Sequence, residues 1–325
     1  PSSGKLVIAG KSPLTNGYGD GNIGSLAALQ LRRAGYELLI LEGKSKEPSH
    51  IHLTDDGVEF LDGSDLWGKD TFSKEKALSE QFGGGVGRLV IGPGGENLVR
   101  FATVISQNGR AGGRTGMGAV LGSKNVPAIT IKGNKNLPIE DEKGLRSLTK
   151  EAYAEIREKD EYDFWVRQGT MQAFRWCQVN NTLPTRNFSE GTFEMADGVD
   201  GYSMERHKTG RRGCPNCNMQ CGNLISDSDG KEAELDYENV AMLGPNLGIG
   251  DIQQVGTLNR LCDKYGLDTI STGSSIGFAM EASQKGLIEE EFDFGDFEAA
   301  RKLTEEIAEK KGLGGKLAEG TARFA

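Results

Sequence analysis

The sequence predicts an α+β protein in which a β-rich domain, residues 1–140, is followed by a multihelical domain, residues 141–325. In the first part, short apolar or alternating runs are bounded by Gly, Pro, Asn or Asp, a pattern typical of strands. From about residue 140 onward the segments are longer, and their apolar residues recur at helical spacing. A chain of 325 residues is long enough for two domains with a substantial core.

Short apolar runs predict the strands of the first domain. They read KLVIAG, YELLILEG, IHLT, VEFLD, RLVIGP, RFATVIS and PAITIKG in chain order. Between them, GSLAALQLRRAG and FSKEKALSEQFG have helical spacing and end on glycine, as helices often do. The first domain is therefore expected to combine a sheet with a few helices.

Two segments carry the helical prediction for the second domain. LRSLTKEAYAEIREKDEYDFWVRQGT contains no Gly or Pro before Gly169, which predicts continuous helix. In DFEAARKLTEEIAEKKGLGG, Asp296 is a candidate N-cap and Gly312 a candidate stop. The apolar face of this second helix is predicted to comprise Phe297, Ala300, Thr304, Ile307 and Ala308.

Charge and hydropathy narrow the function classes. The net charge of −9 argues against nucleic-acid binding, because neutralising phosphates needs a basic surface. We find no apolar run that could span a bilayer and no signal peptide, so a cytoplasmic protein without a membrane partner is expected. The chain begins at Pro1 and ends on LAEGTARFA, which resembles the interior of a helix. Both observations predict that it is part of a longer protein.

Three cysteines lie close together in RRGCPNCNMQCGN, where Cys214, Cys217 and Cys221 follow a C-x2-C-x3-C spacing. Neighbouring Arg211 and Arg212 would help to keep the thiols deprotonated. Zinc sites usually combine two C-x2-C pairs, or one pair with H-x3-5-H, and no histidine here has that spacing. The spacing favours a [4Fe–4S] cluster with one remote ligand, while zinc and unligated thiols stay open as alternatives.

The remaining cysteines, Cys177 and Cys262, are predicted to be buried packing residues rather than ligands. An odd total of five cysteines, three of them clustered, does not resemble a secreted disulfide framework. A metal or cluster site in a reducing compartment accounts for the pattern better.

Glycine is the compositional anomaly, since 47 glycines are about twice the usual share of roughly 7%. RFATVISQNGRAGGRTGMGAVLGSKN is typical of a strand, a loop and a short helix, whose N–H groups could bind phosphate. Arg110, Arg114 and Lys124 add positive charge, although a tight structural turn is an equally good interpretation. TNGYGDGNIGS is a second such loop, so the ligand is expected to carry more than one phosphate group.

A pair of carboxylates, Asp263 and Asp268, flanks Gly266 in CDKYGLDTISTG. Gly266 is predicted to end a helix in the left-handed conformation. The carboxylates could accept hydrogen bonds from a heterocycle with adjacent N–H donors, as a pterin presents. A solvated helix end is the alternative.

Taken together and in order, many segments resemble the aldehyde ferredoxin oxidoreductase family of tungsten or molybdenum pterin enzymes. The matching segments include GDGNIGS, AGYELLILEGKS, IGPGGENLVRFA, GRAGGRTGMGAVLGSKNVPAI, LPTRNF, CPNCNMQCG, LDYENVAMLGPNLGI and CDKYGLDTISTG. The resemblance covers residues 1–325. It implies a β-rich pterin-binding domain followed by helical domains, two pyranopterins that hold one tungsten or molybdenum, Mg²⁺ bridging their phosphates, and a [4Fe–4S] cluster beside one pterin.

The resemblance also implies which residues form the site. Cys214, Cys217 and Cys221 correspond to cluster ligands, and Glu238 to an acid near the metal that could accept a proton. The implied cofactor-binding residues are Lys5, Asn22, Gly24, Arg110, Ala111, Gly113, Arg114, Gly116, Gly118, Asp263, Gly266 and Asp268.

Within this set, backbone carbonyls of Asn22 and Ala111 would bind Mg²⁺, and the two aspartates would bind a pterin ring. Lys5 replaces an arginine that links cluster and pterin in the family, and lysine offers a point charge instead of a bidentate fork. The fourth cysteine and a catalytic histidine are expected beyond Ala325.

The implied reaction is oxidation of aldehydes to carboxylic acids, with electrons passing through the cluster to a ferredoxin. Expected partners are therefore a ferredoxin, a small aldehyde and a second copy of the chain in a homo-oligomer. One alternative keeps the cofactors but changes the substrate to another carbonyl or an activated ring. An alternative of another class is a zinc-stabilised binding module without catalysis, which leaves the glycine loops and paired aspartates unexplained.

Overall fold

The computed structural model describes residues 4–325; Pro1, which entered the expectation of a longer protein, lies outside them. The fold is α+β, with a β-rich first part and a mainly helical second part, which confirms the predicted class. The strands of the first part are β1 (Lys5–Lys11), β2 (Tyr18–Gly24), β3 (Ser49–Thr54), β4 (Gly57–Asp62), β5 (Gly87–Val90), β6 (Val104–Ser106), β7 (Arg110–Gly112) and β8 (Ala128–Lys132). Its helices are α1 (Leu26–Arg33), α2 (Thr71–Phe82), α3 (Pro93–Glu96) and α4 (Met117–Ser123).

Strands β3 to β8 form a six-stranded sheet in the order β4-β3-β8-β5-β6-β7. Only the β3–β8 pair in this sheet is parallel, and its other neighbours are antiparallel. Strands β1 and β2 form a separate antiparallel ribbon, in which Lys5 pairs with Gly24 and Val7 with Asn22. The ribbon therefore places two of the expected site residues directly opposite each other.

One predicted strand is wrong, because YELLILEG contains no strand residue. Leu39 and Leu41 pack against the core of the sheet, whereas Leu38 and Ile40 are 70% and 69% exposed. The alternation thus reflects every second side chain packing on the core, without backbone pairing. Conversely, β2 and β7 were missed, because their glycine-rich sequences carry few side-chain signals of a strand.

The second part contains ten α-helices in the described chain. They are α5 (Glu142–Arg157), α6 (Tyr162–Gln168), α7 (Ala173–Val179), α8 (Gly201–Arg206), α9 (Tyr237–Leu243), α10 (Ile252–Tyr265), α11 (Thr269–Gln284), α12 (Phe297–Glu309), α13 (Gly312–Leu317) and α14 (Thr321–Phe324). It also contains a sheet that the helical prediction did not anticipate. Its strands are β9 (Lys208–Arg212), β10 (Gly222–Ser226) and β11 (Glu232–Leu235), in the antiparallel order β11-β10-β9.

The long helix predicted before Gly169 is broken into α5 and α6. Tyr153 and Tyr162 donate their hydroxyls to the carbonyls of Asn216 and Asn218, at 2.6 and 2.9 Å. Both helical segments therefore dock onto the cysteine-bearing loop, and this tertiary packing outweighs the uninterrupted local propensity.

Helix α12 confirms most of its prediction. The Asp296 carboxylate accepts from the backbone N–H of Ala299 at 2.9 Å, which makes it the N-cap. Ala300, Leu303, Thr304, Ile307 and Ala308 form the buried face. The predicted stop is wrong, because Lys310 takes the left-handed cap conformation with φ 52° and Gly312 begins α13.

Two large clusters of buried hydrophobic residues form the cores of these two parts. One lies against the six-stranded sheet and includes Ile51, Leu89 and Ile129. The other fills the helical part and also takes in Val99 and Phe101 from the first part. Among residues 4–325, no helix combines the length and apolarity that crossing a bilayer requires.

The turn between α10 and α11 joins the two parts. Gly266 adopts φ 70° as the cap of α10, and a Cβ there would lie 2.7 Å from the Gly92 nitrogen. The Gly266 carbonyl accepts from the Thr103 N–H at 2.8 Å, and the Asp268 N–H donates to the Phe101 carbonyl at 3.1 Å. This backbone contact fixes the predicted Asp263–Asp268 segment against the β-rich part.

Candidate functional site

The two predicted glycine loops meet where β2 runs against β7. A Cβ on Gly21 would lie 2.5 Å from the Gly113 nitrogen, and one on Gly112 would lie 2.6 Å from Ile23 Cβ. Neither approach leaves room for a side chain, so glycine at these positions allows the two backbones to touch. Two loops that are far apart in sequence therefore form one surface.

Asn22 and Ala111 lie on these touching strands, each beside one of the close glycine contacts. Both residues are exposed at the surface. The two positions expected to offer backbone carbonyls to one cation therefore lie on strands whose backbones touch.

The cysteine loop reaches the end of the same ribbon. A Cβ on Gly24 would lie 2.3 Å from Cys214 Sγ, and one on Gly4 would lie 2.8 Å from the Pro215 carbonyl oxygen. Lys5 pairs with Gly24 in the ribbon, and its side chain is exposed. The structure thus brings Lys5 and Cys214 close to the glycine loop that contains Gly24.

The cysteine loop is turned back on itself and partly buried. The Cys217 N–H donates to the Cys214 carbonyl at 3.2 Å, and all three thiols are partly accessible. Burial and the charge of Asp236 raise the pKa of Cys221, while Arg110 lowers it. The thiolate of Cys221 therefore needs a positive partner to form readily.

The cysteine loop is the candidate metal-binding segment of the chain. Residues 4–325 contain no group of three or more His, Cys, Asp or Glu side chains placed to hold a single metal ion. An iron–sulfur cluster binds each thiolate to a different iron, so its ligands need not converge on one point. The loop supplies three of the four thiolates that a [4Fe–4S] cluster takes. His50 and His52 lie on β3 and not in the cysteine loop, and their ring nitrogens are 2.7 and 2.8 Å from Thr130 Oγ1.

Arg110 connects the glycine loop to the sheet that carries the cysteine loop. Its Nη2 donates to the Arg212 carbonyl at 2.8 Å and lies 3.1 Å from Glu234 Oε1. Burial alone would lower the pKa of this guanidinium, but Glu234 and the nearby Cys214 and Cys221 raise it above its usual value. Arg110 therefore remains a largely buried positive charge near Cys214 and Cys221.

Asp263 is buried and faces the β6–β7 loop. Its Oδ2 accepts from Asn259 Nδ2 at 3.2 Å and would lie 3.3 Å from a Cβ on Gly109. Burial raises its pKa well above the usual range, Glu234 adds to that effect, and Arg212 opposes it. Its carboxyl oxygens can accept hydrogen bonds from the N–H groups of a heterocyclic ligand.

Asp268 is held differently from Asp263. Its Oδ2 accepts from the Ser271 N–H at 2.8 Å, as the N-cap of α11, and lies 3.2 Å from Arg114 Nε. The structure thus brings two predicted site residues, Arg114 and Asp268, into contact. The helix-end alternative accounts for the cap, and a pterin contact at Asp268 stays a prediction.

The glycines of α4 have a packing explanation of their own. A Cβ on Gly116 would lie 2.3 Å from the Arg100 carbonyl oxygen, and one on Gly118 would lie 2.4 Å from that of Thr103. Gly113 adopts φ 77° and closes against Met117. The structural-turn alternative is therefore supported for Gly116 and Gly118, and their contact with a ligand stays a prediction.

Glu238, the predicted acid near the metal, lies in the first turn of α9 and is exposed. Two residues earlier, Asp236 is partly buried, and burial followed by the charge of Glu234 raises its pKa to about 6. The structure thus adds a second carboxyl, with a pKa close to neutrality, beside the predicted one.

Both predicted packing cysteines are confirmed. Cys262 is fully buried in the helical core, where burial raises its pKa. Cys177 is buried as well, and its Sγ accepts from the Tyr237 hydroxyl at 3.1 Å.

Two family models divide the chain between them. The model of the aldehyde ferredoxin oxidoreductase N-terminal domain matches residues 1–133, and that of domains 2 and 3 matches residues 147–325. The chain belongs to the aldehyde ferredoxin oxidoreductase family. The resemblance identified from its motifs is thereby confirmed.

Curated relatives support this assignment. The tungsten-containing aldehyde ferredoxin oxidoreductases of Thermococcus kodakarensis and Pyrococcus furiosus are 36% and 34% identical over 340 residues. Each alignment covers 100% of the chain and 56% of the relative, so the chain spans about half the relatives' length. The aliphatic sulfonate oxidoreductase, WOR-like subunit, of Pyrococcus furiosus is 32% identical over 355 residues, covering 99% of the chain and 55% of that protein.

A solved structure shares the fold of this family member. The active site complex BamBC of benzoyl coenzyme A reductase, bound to 1,5-dienoyl-CoA, matches with a TM-score of 0.83. The identity is 22%, and the match covers 100% of the chain and 52% of the solved chain.

Within this family member, sequence reasoning missed the carboxylates of Glu234 and Asp236. A signal was present, because EAELDYEN places acids at alternate positions 234, 236 and 238. Alternating acids at the end of a strand are more often solvated than buried, and nothing local shows that Arg110 and Arg212 face them. The sheet of β9 to β11 brings Arg212 to Glu234, and Arg110 reaches the same carboxylate from β7.

Proposed function

We propose that the chain is the pterin- and cluster-binding part of a tungsten-containing oxidoreductase that oxidises aldehydes to carboxylic acids with a ferredoxin as acceptor. The observation that carries this proposal is the junction of both glycine loops with the cysteine loop, where Cys214 Sγ packs so closely on Gly24 that a Cβ there would clash with it. The names of the relatives at 34% and 36% identity support tungsten and the aldehyde class.

The proposed cofactors are a bis-pyranopterin tungsten or molybdenum centre, Mg²⁺ between its phosphates, and a [4Fe–4S] cluster. When bound, the metal pterin would take up an electron pair and the cluster would release electrons singly. Cys214, Cys217 and Cys221 would hold three irons of the cluster. The backbone carbonyls of Asn22 and Ala111 would hold Mg²⁺.

The pterin contacts follow from charge and hydrogen bonding. Arg110 and Arg114 are positive charges on the glycine loop, while Asp263 is a carboxyl whose pKa lies above the usual range. Its carboxyl oxygens would accept from the N–H groups of a pterin ring. The backbone groups of Gly113, Gly116, Gly118 and Gly266 are proposed to contact the ligand, and Lys5 would face it from the ribbon.

Oxidation of an aldehyde with water releases protons as well as electrons, so the site needs a proton acceptor. Glu238 is the proposed acceptor, because it corresponds to the family's acid and its side chain is accessible. Asp236, two residues away and with a pKa of about 6, would share protons with it near neutral pH. Both carboxyls act by holding and passing protons.

The proposal also covers organisation and location. We place the boundary between a pterin-binding domain and a helical domain near residue 140, because β1 to β8 precede it and α5 follows it. A cytoplasmic homo-oligomer that exchanges electrons with a ferredoxin is the proposed working form.

Metal analysis and turnover test this function together. The protein isolated anaerobically from its native source should contain tungsten or molybdenum and about four irons per chain. It should also reduce ferredoxin or a viologen when aldehyde is added. Zinc without iron, and no aldehyde-dependent reduction, would contradict the proposal and favour the zinc-stabilised binding module.

A second candidate keeps the cofactors and changes the substrate to a different carbonyl or an activated ring compound. It is favoured by the aliphatic sulfonate oxidoreductase subunit, a relative at 32% identity that carries a different substrate in its name. Comparing turnover of aldehydes, aliphatic sulfonates and aromatic CoA esters by the same native protein separates the candidates. The substrate with the highest kcat/KM decides between them.

A further inference from the structure

A buried carboxylate joins two arginines beside the cysteine loop. Glu234 Oε2 accepts from Arg212 Nη1 at 2.9 Å, and Glu234 Oε1 lies 3.1 Å from Arg110 Nη2. The side chains of Glu234, Arg110 and Arg212 are 5%, 12% and 22% exposed. This charged trio, Arg110–Glu234–Arg212, connects the glycine loop to the sheet that bears the cysteines.

The trio packs directly onto the residue that follows the last cysteine of the loop. A Cβ on Gly222 would lie 2.1 Å from Glu234 Oε1 and 2.7 Å from Arg110 Nη2. Only glycine at this position lets the carboxylate and the guanidinium rest on the backbone next to Cys221. The Arg110 Nε is buried and has no hydrogen-bond partner among the described residues.

Lys5 differs from Arg110 in its burial and in the hydrogen bonds that its charged group can form. Its side chain is exposed, at the start of β1, and a lysine offers only a point charge. The Arg110 side chain is largely buried; it donates a hydrogen bond to the carbonyl of Arg212 and forms an ion pair with Glu234. Of these two cations, Arg110 therefore interacts more strongly with the thiols, because less solvent screens its charge.

We infer that the charged pair Arg110–Glu234 sets the electrostatic environment of the bound cluster, with Arg110 rather than Lys5 as its cation and Glu234 as the opposing charge. This inference rests on the proposed function, because it assumes that the loop holds an iron–sulfur cluster. It assigns a role to Glu234 that no motif in the sequence carries.

The expected electrostatic effects have opposite signs. Reduction adds an electron to the cluster, so removing the negative charge of Glu234 favours the reduced form, and removing the positive charge of Arg110 disfavours it. A unit charge within roughly 10 Å, in protein of effective dielectric constant about 20, changes such an equilibrium on the order of tenfold. For a one-electron couple, tenfold corresponds to about 59 mV.

Redox titration monitored by electron paramagnetic resonance tests this inference in holoenzyme made in the native host. E234Q should shift the ratio of reduced to oxidised cluster about tenfold toward the reduced form at a fixed potential. R110Q should shift it in the opposite direction. The control E96Q removes an equally buried carboxylate, 5% exposed and paired with Lys74 away from the cysteine loop, and should leave the ratio unchanged.

Opposite shifts of the reduced-to-oxidised ratio in E234Q and R110Q support the inference. A general disturbance of the structure would not be expected to shift this ratio in opposite directions in the two variants. Shifts in the same direction, no shift, or an equal shift in E96Q would overturn it. If one variant loses its cluster, the sign in the other decides. If both lose it, retention in the charge-conserving E234D and R110K supports the inference, and loss there overturns it. A missing cluster signal in the unsubstituted protein would instead refute the proposed function.

Discussion

Replacing Gly24 by alanine tests the contact between the ribbon and the cysteine loop. Gly24 pairs with Lys5 at the end of β2, and an added Cβ would lie 2.3 Å from Cys214 Sγ and 3.6 Å from Cys214 Cβ. Ordinary contacts between such atoms begin at about 3.5 Å, so the sulfur must move by about 1 Å or more. Gly24 does not adopt a left-handed backbone conformation, so the effect of the substitution is purely steric.

The magnitude follows from the cost of overpacking. Inserting a methyl group into a closely packed site typically costs about 1–3 kcal/mol. With about 1.4 kcal/mol for each factor of ten, cluster retention should weaken about 5- to 150-fold. The thiol of Cys214 bears the displacement, so loss of cluster should exceed any loss of fold.

Iron content and visible absorbance after anaerobic dilution are the assay, with the melting temperature measured in parallel. The matched control is G85A, because a Cβ on Gly85 would meet nothing within 4 Å and its backbone is not left-handed. We expect G24A to lose iron much faster than G85A. Equal iron retention in the two variants would refute the contact on which the site is built.

Three further predictions concern stability, measured by urea unfolding of the 325-residue chain. G266A should lose about 1–3 kcal/mol more than G68A, because both glycines have positive φ but only Gly266 also faces a clash; equal losses would contradict this packing. D236N should stabilise the chain at pH 7 and not at pH 4. The pKa of Asp236 rises from 3.8 to about 6 on folding, so the ionised carboxylate destabilises the folded state above about pH 6. For a partly exposed group this destabilisation is about 1–2 kcal/mol. A difference in stability between D236N and the unsubstituted chain that does not depend on pH would contradict this prediction. E96Q should lose about 3–5 kcal/mol, because it leaves the buried ammonium of Lys74 without its charge partner, whereas E37Q, which breaks an exposed pair, should lose under about 1 kcal/mol.

Much of the fold could be predicted from local patterns. Runs such as IHLT and PAITIKG became β3 and β8, since apolar side chains between turn residues leave few other solutions. Asp296 marked the start of α12, because an N-cap is a local hydrogen bond. These features depend on neighbours within a few residues, which a sequence displays directly.

The exceptions depend on residues far apart in sequence. YELLILEG alternates like a strand but finds no pairing partner, and the long helix before Gly169 is divided by two tyrosines that reach the cysteine loop. The strands β2 and β7 are glycine-rich, so their pairing shows only in three dimensions. Local propensity cannot encode such contacts.

For the candidate site, motifs identified the cysteine loop and both glycine loops but not how they are joined. The touching backbones at Gly21 and Gly113, and the carboxylate of Glu234 between two arginines, come from separate segments of the chain. Whether a given acid is buried and paired depends on those segments. Burial therefore had to be observed before Glu234 or Asp236 could be assigned a role.

Anomalous diffraction from crystals of the native protein, measured at the iron and tungsten edges, tests the central claim most directly. If the glycine loops and the cysteine loop form one cofactor site, iron peaks should lie against Cys214 at the end of β2. The tungsten peak should then lie close to the surface formed by β2 and β7, on the side of Asp263. Iron located away from the cysteine loop, or a zinc peak there in place of iron, would contradict the account.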